Sequence, residues 1–253
     1  MPAPTPAQAL PDVAAPVAGA RVVFIGAGPG AADLITVRGA QRLAQAEVVL
    51  FDALTDPALQ ALAPQARWVD VGKRGFGHAT GQQAINALLV QAAQASARVV
   101  RLKGGDPSIF GRLEEEMHAL QQAGIAYEVV PGISAALAAA AGTQRPLTRR
   151  GSGRSVSLTT AMTHLGTLQA TRTADTEVFY MAGRQLAALS AHLMQAGWPG
   201  HTPVCVVSRA GWPDAITTDH SVASLADATA PHADRPAVVT VGAGAMPVAK
   251  ARE

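Results

Sequence analysis

Short apolar runs alternate along the chain with stretches whose apolar positions recur at helical spacing. Residues 22–25 are four β-favouring residues that open directly into Gly26-Ala27-Gly28-Pro29-Gly30, and an Ala-, Leu- and Arg-rich pattern then predicts a helix to about Ala46. The unit repeats: residues 48–51 read as a strand ending at Asp52, 57–63 as a helix, 68–71 as a short strand and 72–81 as a loop. Ile85, Leu88, Leu89 and Ala92 place one apolar face on a helix over 82–95, and 98–102 is the next strand, stopped by Lys103-Gly104-Gly105-Asp106-Pro107. A helix over 114–122, capped by Gly124, and a strand over 126–130 ending at Pro131-Gly132 complete the series. Strands alternating with helices predict an α/β fold with a largely parallel sheet.

The second half is less strongly patterned. Residues 134–141 are nearly all small and helix-forming, and 146–153 form a polar, basic connection, which puts a domain boundary there. Strands are predicted at 155–160, 177–181, 203–207 and 237–241, and helices at 185–195 and 224–228, as a second α/β layer. The expected organisation is a disordered leader over 1–20, an N-terminal α/β domain over 21–145 and a C-terminal α/β domain over 146–248.

Composition narrows the function. With 20 Lys and Arg against 18 Asp and Glu the chain carries only +2, too little for a protein whose affinity rests on neutralising nucleic-acid phosphates. Cys205 is the single cysteine, so an intramolecular disulfide and a cysteine-built zinc site are both excluded, which fits a reducing cytoplasm. No apolar stretch approaches the roughly 20 residues of a membrane span, so the expectation is a soluble protein.

Two glycine clusters carry candidate chemistry. Gly26, Gly28 and Ala31, with Asp52 after the second strand, match the spacing of a dinucleotide fingerprint and open a nicotinamide-dependent oxidoreductase reading, although Pro29 removes a backbone N–H where a pyrophosphate needs donors. The cluster over 101–112, Arg-Leu-Lys-Gly-Gly-Asp-Pro-Ser-Ile-Phe-Gly-Arg, is more specific, because paired glycines at a strand's carboxyl end let a ligand approach the backbone. On the residues alone, Gly-Gly-Asp-Pro is also a turn before a helix, Asp52 a turn residue and Lys73 a solvated loop charge.

Together with Val-Phe-Ile-Gly-Ala-Gly-Pro-Gly, Phe51-Asp52, Val71-Gly-Lys73-Arg74, Val-Val-Pro-Gly-Ile-Ser-Ala, Pro146-Leu-Thr, Val178-Phe-Tyr-Met181 and Arg235-Pro-Ala-Val-Val-Thr-Val-Gly242, this cluster makes the chain resemble the tetrapyrrole methylase family over roughly residues 21–245. In that family two α/β domains clasp S-adenosylmethionine between them, and the resemblance implies the same cofactor cleft here, with S-adenosylhomocysteine as product. It implies cofactor contacts from Pro29, Gly104, Gly105, Asp106, Ile109, Ser134, Ala135, Met181, Ala210, Pro236 and Ala237, many of them through backbone atoms. Apolar walls with backbone polar groups suit a ligand that has a flat adenine and a sulfonium and no phosphate.

Within the family the resemblance is to members that methylate uroporphyrinogen III twice, giving precorrin-2 for sirohaem or cobalamin. It implies Asp52 as proton acceptor and Lys73 as proton donor, with no metal, and a homodimer. The acceptor carries eight carboxylates, and guanidinium groups match carboxylates geometrically. Arg112, Arg149 and Arg150 are the expected substrate contacts, drawn from a set that also holds Arg145 and Arg154.

Several segments depart from the family pattern. Gly111-Arg112-Leu113-Glu114-Glu115-Glu116 stands where the family usually reads Gly-Arg-Gly-Gly-Glu-Glu, and Leu147-Thr148-Arg149-Arg150 where it reads Leu-Thr-His-Arg. Thr160-Ala161-Met162 replaces Thr-Gly-His, and Ser208-Arg209-Ala210-Gly211 replaces Glu-Asn-Gly-Thr. These changes fall mainly on the substrate side and leave a methyltransferase of a later precorrin as the nearest alternative. A non-enzymatic interaction module is a third reading, which would leave the glycine clusters without a use.

Overall fold

The computed structural model describes residues 13–72, 81–162 and 167–248. Most of the expected leader, and the candidate Lys73 with its neighbour Arg74, lie outside the described residues. The chain divides into two compact units, one formed by residues up to Ala27 and Ile35–Gly132, the other by Gly28–Leu34 and the chain from Ile133 onward.

The first unit is built on β1 (Val22–Gly26), β2 (Val48–Phe51), β3 (Arg67–Asp70), β4 (Val99–Lys103) and β5 (Tyr127–Val130), with α1 (Val37–Leu43), α2 (Gln82–Ala95) and α3 (Leu113–Gln122) between them. All pairings are parallel, in the order β3-β2-β4-β1-β5. A parallel sheet covered by its crossover helices buries both faces, which is why β2 is an unbroken apolar run and why every residue of β2 and of β4, Arg101 and Lys103 included, is buried. Ile85 and Leu89 of α2 and Leu120 of α3 pack on Val22, Phe24, Val48, Leu50 and Val99 to make one core layer.

The helix expected directly after the first glycine loop starts later. A 3-10 turn at Ala32–Leu34 intervenes, and α1 begins where Thr36 accepts a hydrogen bond from Gly39 N at 3.1 Å, a side-chain cap that satisfies one of the free N-terminal donors. Pro57–Leu62 is likewise a 3-10 segment rather than an α-helix, entered through Asp56, whose carboxylate accepts from Ala58 N at 2.9 Å.

The second unit carries α4 (Ala135–Gly142), β6 (Val156–Thr160), β7 (Thr176–Tyr180), α5 (Leu186–Gln195), β8 (Pro203–Ser208), β9 (Ile216–Ser221) and β10 (Ala237–Gly242). Its sheet runs β6-β7-β10-β8-β9, and only β6 and β7 are parallel; the other three pairings are antiparallel. Phe179, Val206, Val239 and Val241 face α5 through Leu186, Leu189 and Leu193. The other face, Val178, Cys205, Val207 and Val238, is covered by Ala136 and Ala139 of α4. That packing is why residues 133–145, read from the sequence as the end of the first domain, fall with the second unit. The strand β9 was not expected: Ile-Thr-Thr-Asp-His-Ser is a polar edge strand without an apolar run. Residues 225–228 form a 3-10 turn in place of the short helix expected there.

Candidate functional site

In the first unit the parallel strands bring their carboxyl ends to one edge, where ligand-binding loops gather in open α/β sheets. Asp52 follows β2, Gly104-Gly105-Asp106 follows β4, Ala27 follows β1 and Pro131-Gly132 follows β5. Three backbones meet here without side chains. A Cβ on Gly26 would stand 2.4 Å from Gly132 Cα, and one on Gly132 would stand 2.3 Å from the Gly105 carbonyl oxygen. Gly105 also has φ +72°, a left-handed conformation that side chains resist.

Asp106 organises this edge. One carboxylate oxygen accepts from Ser108 N at 2.8 Å within its own loop, and the other accepts from Gly132 N at 2.9 Å, tying the β4 loop to the β5 loop. Ile109 is half-buried just beyond it.

Beneath Asp52 lies a charged cluster that the apolar strand pattern concealed. Arg101 and Lys103 lie two apart on β4, and Glu116 reaches them from the first turn of α3. Glu116 is fully buried and accepts from Lys103 Nζ at 2.9 Å and from Arg101 Nη2 at 3.1 Å. Arg101 Nη2 also donates to Asp52 Oδ1 at 2.7 Å; the Arg101 side chain is 2% exposed and that of Asp52 31%. Burial works against the charge on Arg101, but Asp52 and Glu116 outweigh it and push its pKa up. Burial, reinforced by Arg101, pushes the Lys103 ammonium down against the opposing pull of Glu116 and Asp52. The readable signal was a pair of cations at i and i+2 in a strand otherwise apolar, followed by three glutamates opening the next helix.

The second unit presents a different edge. The ends of β6, β7 and β8 and the start of β10 lie together there, since Tyr180 registers with Val238 and Ser208 with Ala237. Met181 leaves β7 with φ 59° and is 55% exposed, an unusual conformation for an unbranched apolar residue. Ala210 is buried after β8, and Arg209 N donates to the Pro236 carbonyl at 2.8 Å just ahead of the half-buried Ala237. Ser134, the residue before α4, shares a 2.7 Å hydrogen bond with the Tyr180 hydroxyl, which also accepts from Ala136 N at 3.1 Å. Pro29 and Gly30 join this unit: Ala31 N donates to Gly211 O at 2.8 Å, and a Cβ on Gly30 would lie 2.5 Å from the Gly211 carbonyl carbon.

That same loop does not make a pyrophosphate cradle. Pro29 has no N–H, Ala31 N is engaged by Gly211, and α1 starts beyond an intervening turn with its own side-chain cap, so no row of free amides faces a phosphate. The dinucleotide reading of Gly26, Gly28 and Ala31 has no support in the geometry.

Of the candidate arginines, Arg112 forms a two-pronged pair with Glu115 at 2.7 and 2.8 Å, and that hydrogen bond holds the Glu115 carboxyl below its ordinary pKa. Arg149 donates to the Met246 and Pro247 carbonyls, while Arg145 pairs with Asp219 and the Ala245 carbonyl. Arg150 and Arg154 are exposed. A groove of about 590 Å³ opens at the opposite edge of the second sheet, between Arg154, Arg172, Asp175 and Trp198, and apart from Arg154 none of the residues expected at the site lines it. Among the described residues no group of three or more His, Cys, Asp or Glu could hold a metal, and no helix is long and apolar enough to cross a membrane.

Comparison with known proteins gives these two edges a context. Residues 21–226 match the model of the Tetrapyrrole (Corrin/Porphyrin) Methylases. A siroheme synthase of Psychrobacter sp. (strain PRwf-1) is 42% identical over 221 residues, covering 85% of this chain and 45% of that protein; the chain spans about half the length of the curated relatives it matches. Among solved structures, the uroporphyrin-III C-methyl transferase of Thermus thermophilus complexed with S-adenyl homocysteine superposes with TM-score 0.77 at 33% identity, covering 88% of this chain and 97% of that one. A cobalt precorrin-4 methyltransferase superposes with the same TM-score at 30% identity, covering 89% of this chain and 96% of that one. With more than half of its residues under the family model, the chain belongs to the tetrapyrrole methylase family.

Proposed function

We propose that the protein is an S-adenosylmethionine-dependent C-methyltransferase that converts uroporphyrinogen III to precorrin-2 by two successive methyl transfers. The observation that carries this reading is the pairing, on adjacent strands of the first unit, of a partly exposed carboxylate at Asp52 with the glycine turn at Gly104-Gly105, in a chain of this family whose relatives include uroporphyrin-III C-methyl transferases.

The residues fit the cofactor by their chemistry. Gly104 and Gly105 carry no side chain, so a ligand can approach the backbone at this turn; Asp106 fixes the turn, and Ile109 adds an apolar neighbour. On the second unit Met181, Ala210, Pro236 and Ala237 offer small or apolar surface, while Pro29, Ser134 and Ala135 complete the set. None of these side chains requires a phosphate. S-adenosylmethionine, when bound, supplies an electrophilic methyl group and leaves as S-adenosylhomocysteine with the electron pair of the broken C–S bond.

The chain's own task is alignment and proton handling. An electron-rich pyrrole carbon takes the methyl group, and the positive charge left on the macrocycle is discharged when Asp52 accepts a proton. Lys73 is the proposed proton donor, and Arg112, Arg149 and Arg150 the proposed partners of the acceptor's carboxylates. Arg150 is the most available of the three, since Arg112 and Arg149 already have partners. The altered segments at Leu113 and Arg149 favour keeping a later precorrin as the second reading. The proposal carries with it a homodimer in the cytoplasm.

An anaerobic assay with S-adenosylmethionine and uroporphyrinogen III, following S-adenosylhomocysteine and macrocycle mass together, is the test. Gain of two methyl groups is expected. Cofactor binding without methylation of this acceptor, but with methylation of a later precorrin, would replace the substrate; absence of cofactor binding would end the methyltransferase reading.

A further inference from the structure

Four charged side chains converge under the edge that holds Asp52, and only Asp52 reaches solvent appreciably. Glu116 Oε1 accepts from Lys103 Nζ at 2.9 Å, from Arg101 Nη2 at 3.1 Å and from Gln82 Nε2 at 3.3 Å, and its Oε2 accepts from Arg101 Nε at 3.2 Å. Arg101 Nη1 donates to the Leu102 carbonyl at 3.1 Å. Clamped on these sides, the guanidinium extends Nη2 to Asp52 Oδ1 at 2.7 Å. Among the described residues Asp52 Oδ2 has no hydrogen-bond partner.

A buried cluster of two cations and two anions is weak evidence for stability, since apolar groups of similar volume often serve as well. Its geometry does something an apolar core would not. A planar guanidinium held along one side by a buried carboxylate is a rigid fork, and it fixes the orientation of whatever carboxylate it meets on the other side.

We propose that Arg101 is a positioning residue for methyl transfer: locked by Glu116, it holds Asp52 through Oδ1 and leaves Oδ2 as the atom that takes the proton. The inference rests on the reading of Asp52 as proton acceptor. In that step the proton leaves the methylated macrocycle for Oδ2 and the electron pair of the broken bond stays in the ring, so its charge returns to neutral. Lys103 shares Glu116 with Arg101, and its ammonium keeps the cluster balanced without touching Asp52 directly.

The test is a double-mutant cycle of Asp52→Asn and Arg101→Lys in the whole protein, with S-adenosylhomocysteine binding measured by calorimetry for each variant. Arg101→Lys is expected to keep cofactor affinity and acceptor KM within about threefold while kcat falls about tenfold or more. The double variant should be no slower than Asp52→Asn alone, as for residues acting through one another. Glu116→Gln, which keeps the shape, should give a smaller loss of the same kind and takes the place of Arg101→Lys in the cycle if that variant does not fold. Losses that multiply in the double variant, or an Arg101→Lys enzyme at the parental rate, would overturn the positioning role while leaving Asp52 in place. An Asp52→Asn enzyme at the parental rate would remove the proton-acceptor reading itself, and the inference with it.

Discussion

The two sheets have the same number of strands and present opposite kinds of surface. The all-parallel sheet of the first unit gathers the ends of β1, β2, β4 and β5 at one edge, with a carboxylate, two cations and a second carboxylate in or just beneath it. The mixed sheet of the second unit ends in Met181, Ala210, Pro236 and Ala237, with a hydroxyl pair at Ser134 and Tyr180. Parallel strands need crossovers, and each crossover delivers a loop to the same edge, so that edge accumulates side-chain chemistry. The antiparallel strands of the second unit deliver mostly backbone and small side chains, which suits shape recognition. Substitutions in the charged cluster of the first edge should therefore alter rate, and those at the apolar second edge should alter cofactor affinity.

The sharpest break in this contrast is expected at Asp52. Asp52→Asn should lower kcat by about 100-fold or more, the scale of a general base, with S-adenosylhomocysteine affinity nearly unchanged; steady-state kinetics with calorimetry measure both. Gly26→Ala comes next, since its methyl group would overlap Gly132 Cα at 2.4 Å. A loss of about 3 kcal/mol of stability is expected from overpacking between backbones that cannot yield, read by denaturant unfolding. On the second edge, Ala237→Val should raise the KM for S-adenosylmethionine by about tenfold, the scale of 1.4 kcal/mol, with kcat largely preserved. An equal fall in kcat there would erase the distinction between the edges.

Tyr180→Phe removes the partner of a buried serine, and a loss of about 1 kcal/mol is expected in a thermal or denaturant melt. The smallest effect belongs to Cys205, whose thiol burial pushes up to about 11. Because the folded state holds the proton more tightly than the unfolded chain, this group favours folding at neutral pH, and its contribution is lost as pH rises from about 9 to about 11. In the native protein a thiol reagent at neutral pH should label Cys205 only on the timescale of unfolding.

The same contrast explains what the sequence made readable. The strands of the first sheet are mostly apolar and stop at glycine, proline or aspartate, so their order along the chain and their loops could be read directly. The charged cluster left only the two cations and the glutamates of the next helix as a trace, because Arg101 and Lys103 sit inside a run that reads as a buried strand and their partner Glu116 is 15 residues from Arg101. In the second sheet β9 escaped notice because an edge strand needs no apolar alternation, and its Thr-Thr-Asp-His sequence has none. The antiparallel order of β10 between β7 and β8 depends on contacts far apart in sequence. Met181 entered the candidate set through family likeness alone; its left-handed backbone has no signature in composition or periodicity. Arg112 and Arg149 were readable as charges, but their commitments to Glu115 and to the Met246 carbonyl were not.

The stretch Gly28–Leu34 belongs to the second unit although the sequence on both sides of it belongs to the first. The second unit is therefore discontinuous in the gene, and no single cut can release it whole. A fragment beginning at Ile133 lacks Ala31, so the Gly211 carbonyl loses its amide donor and Gly211 loses the Pro29 ring that packs 3.0 Å from the position of its missing Cβ. Such a fragment should be more readily cleaved by protease around Gly211, and adding a peptide spanning residues 28–34 in trans should restore part of that protection.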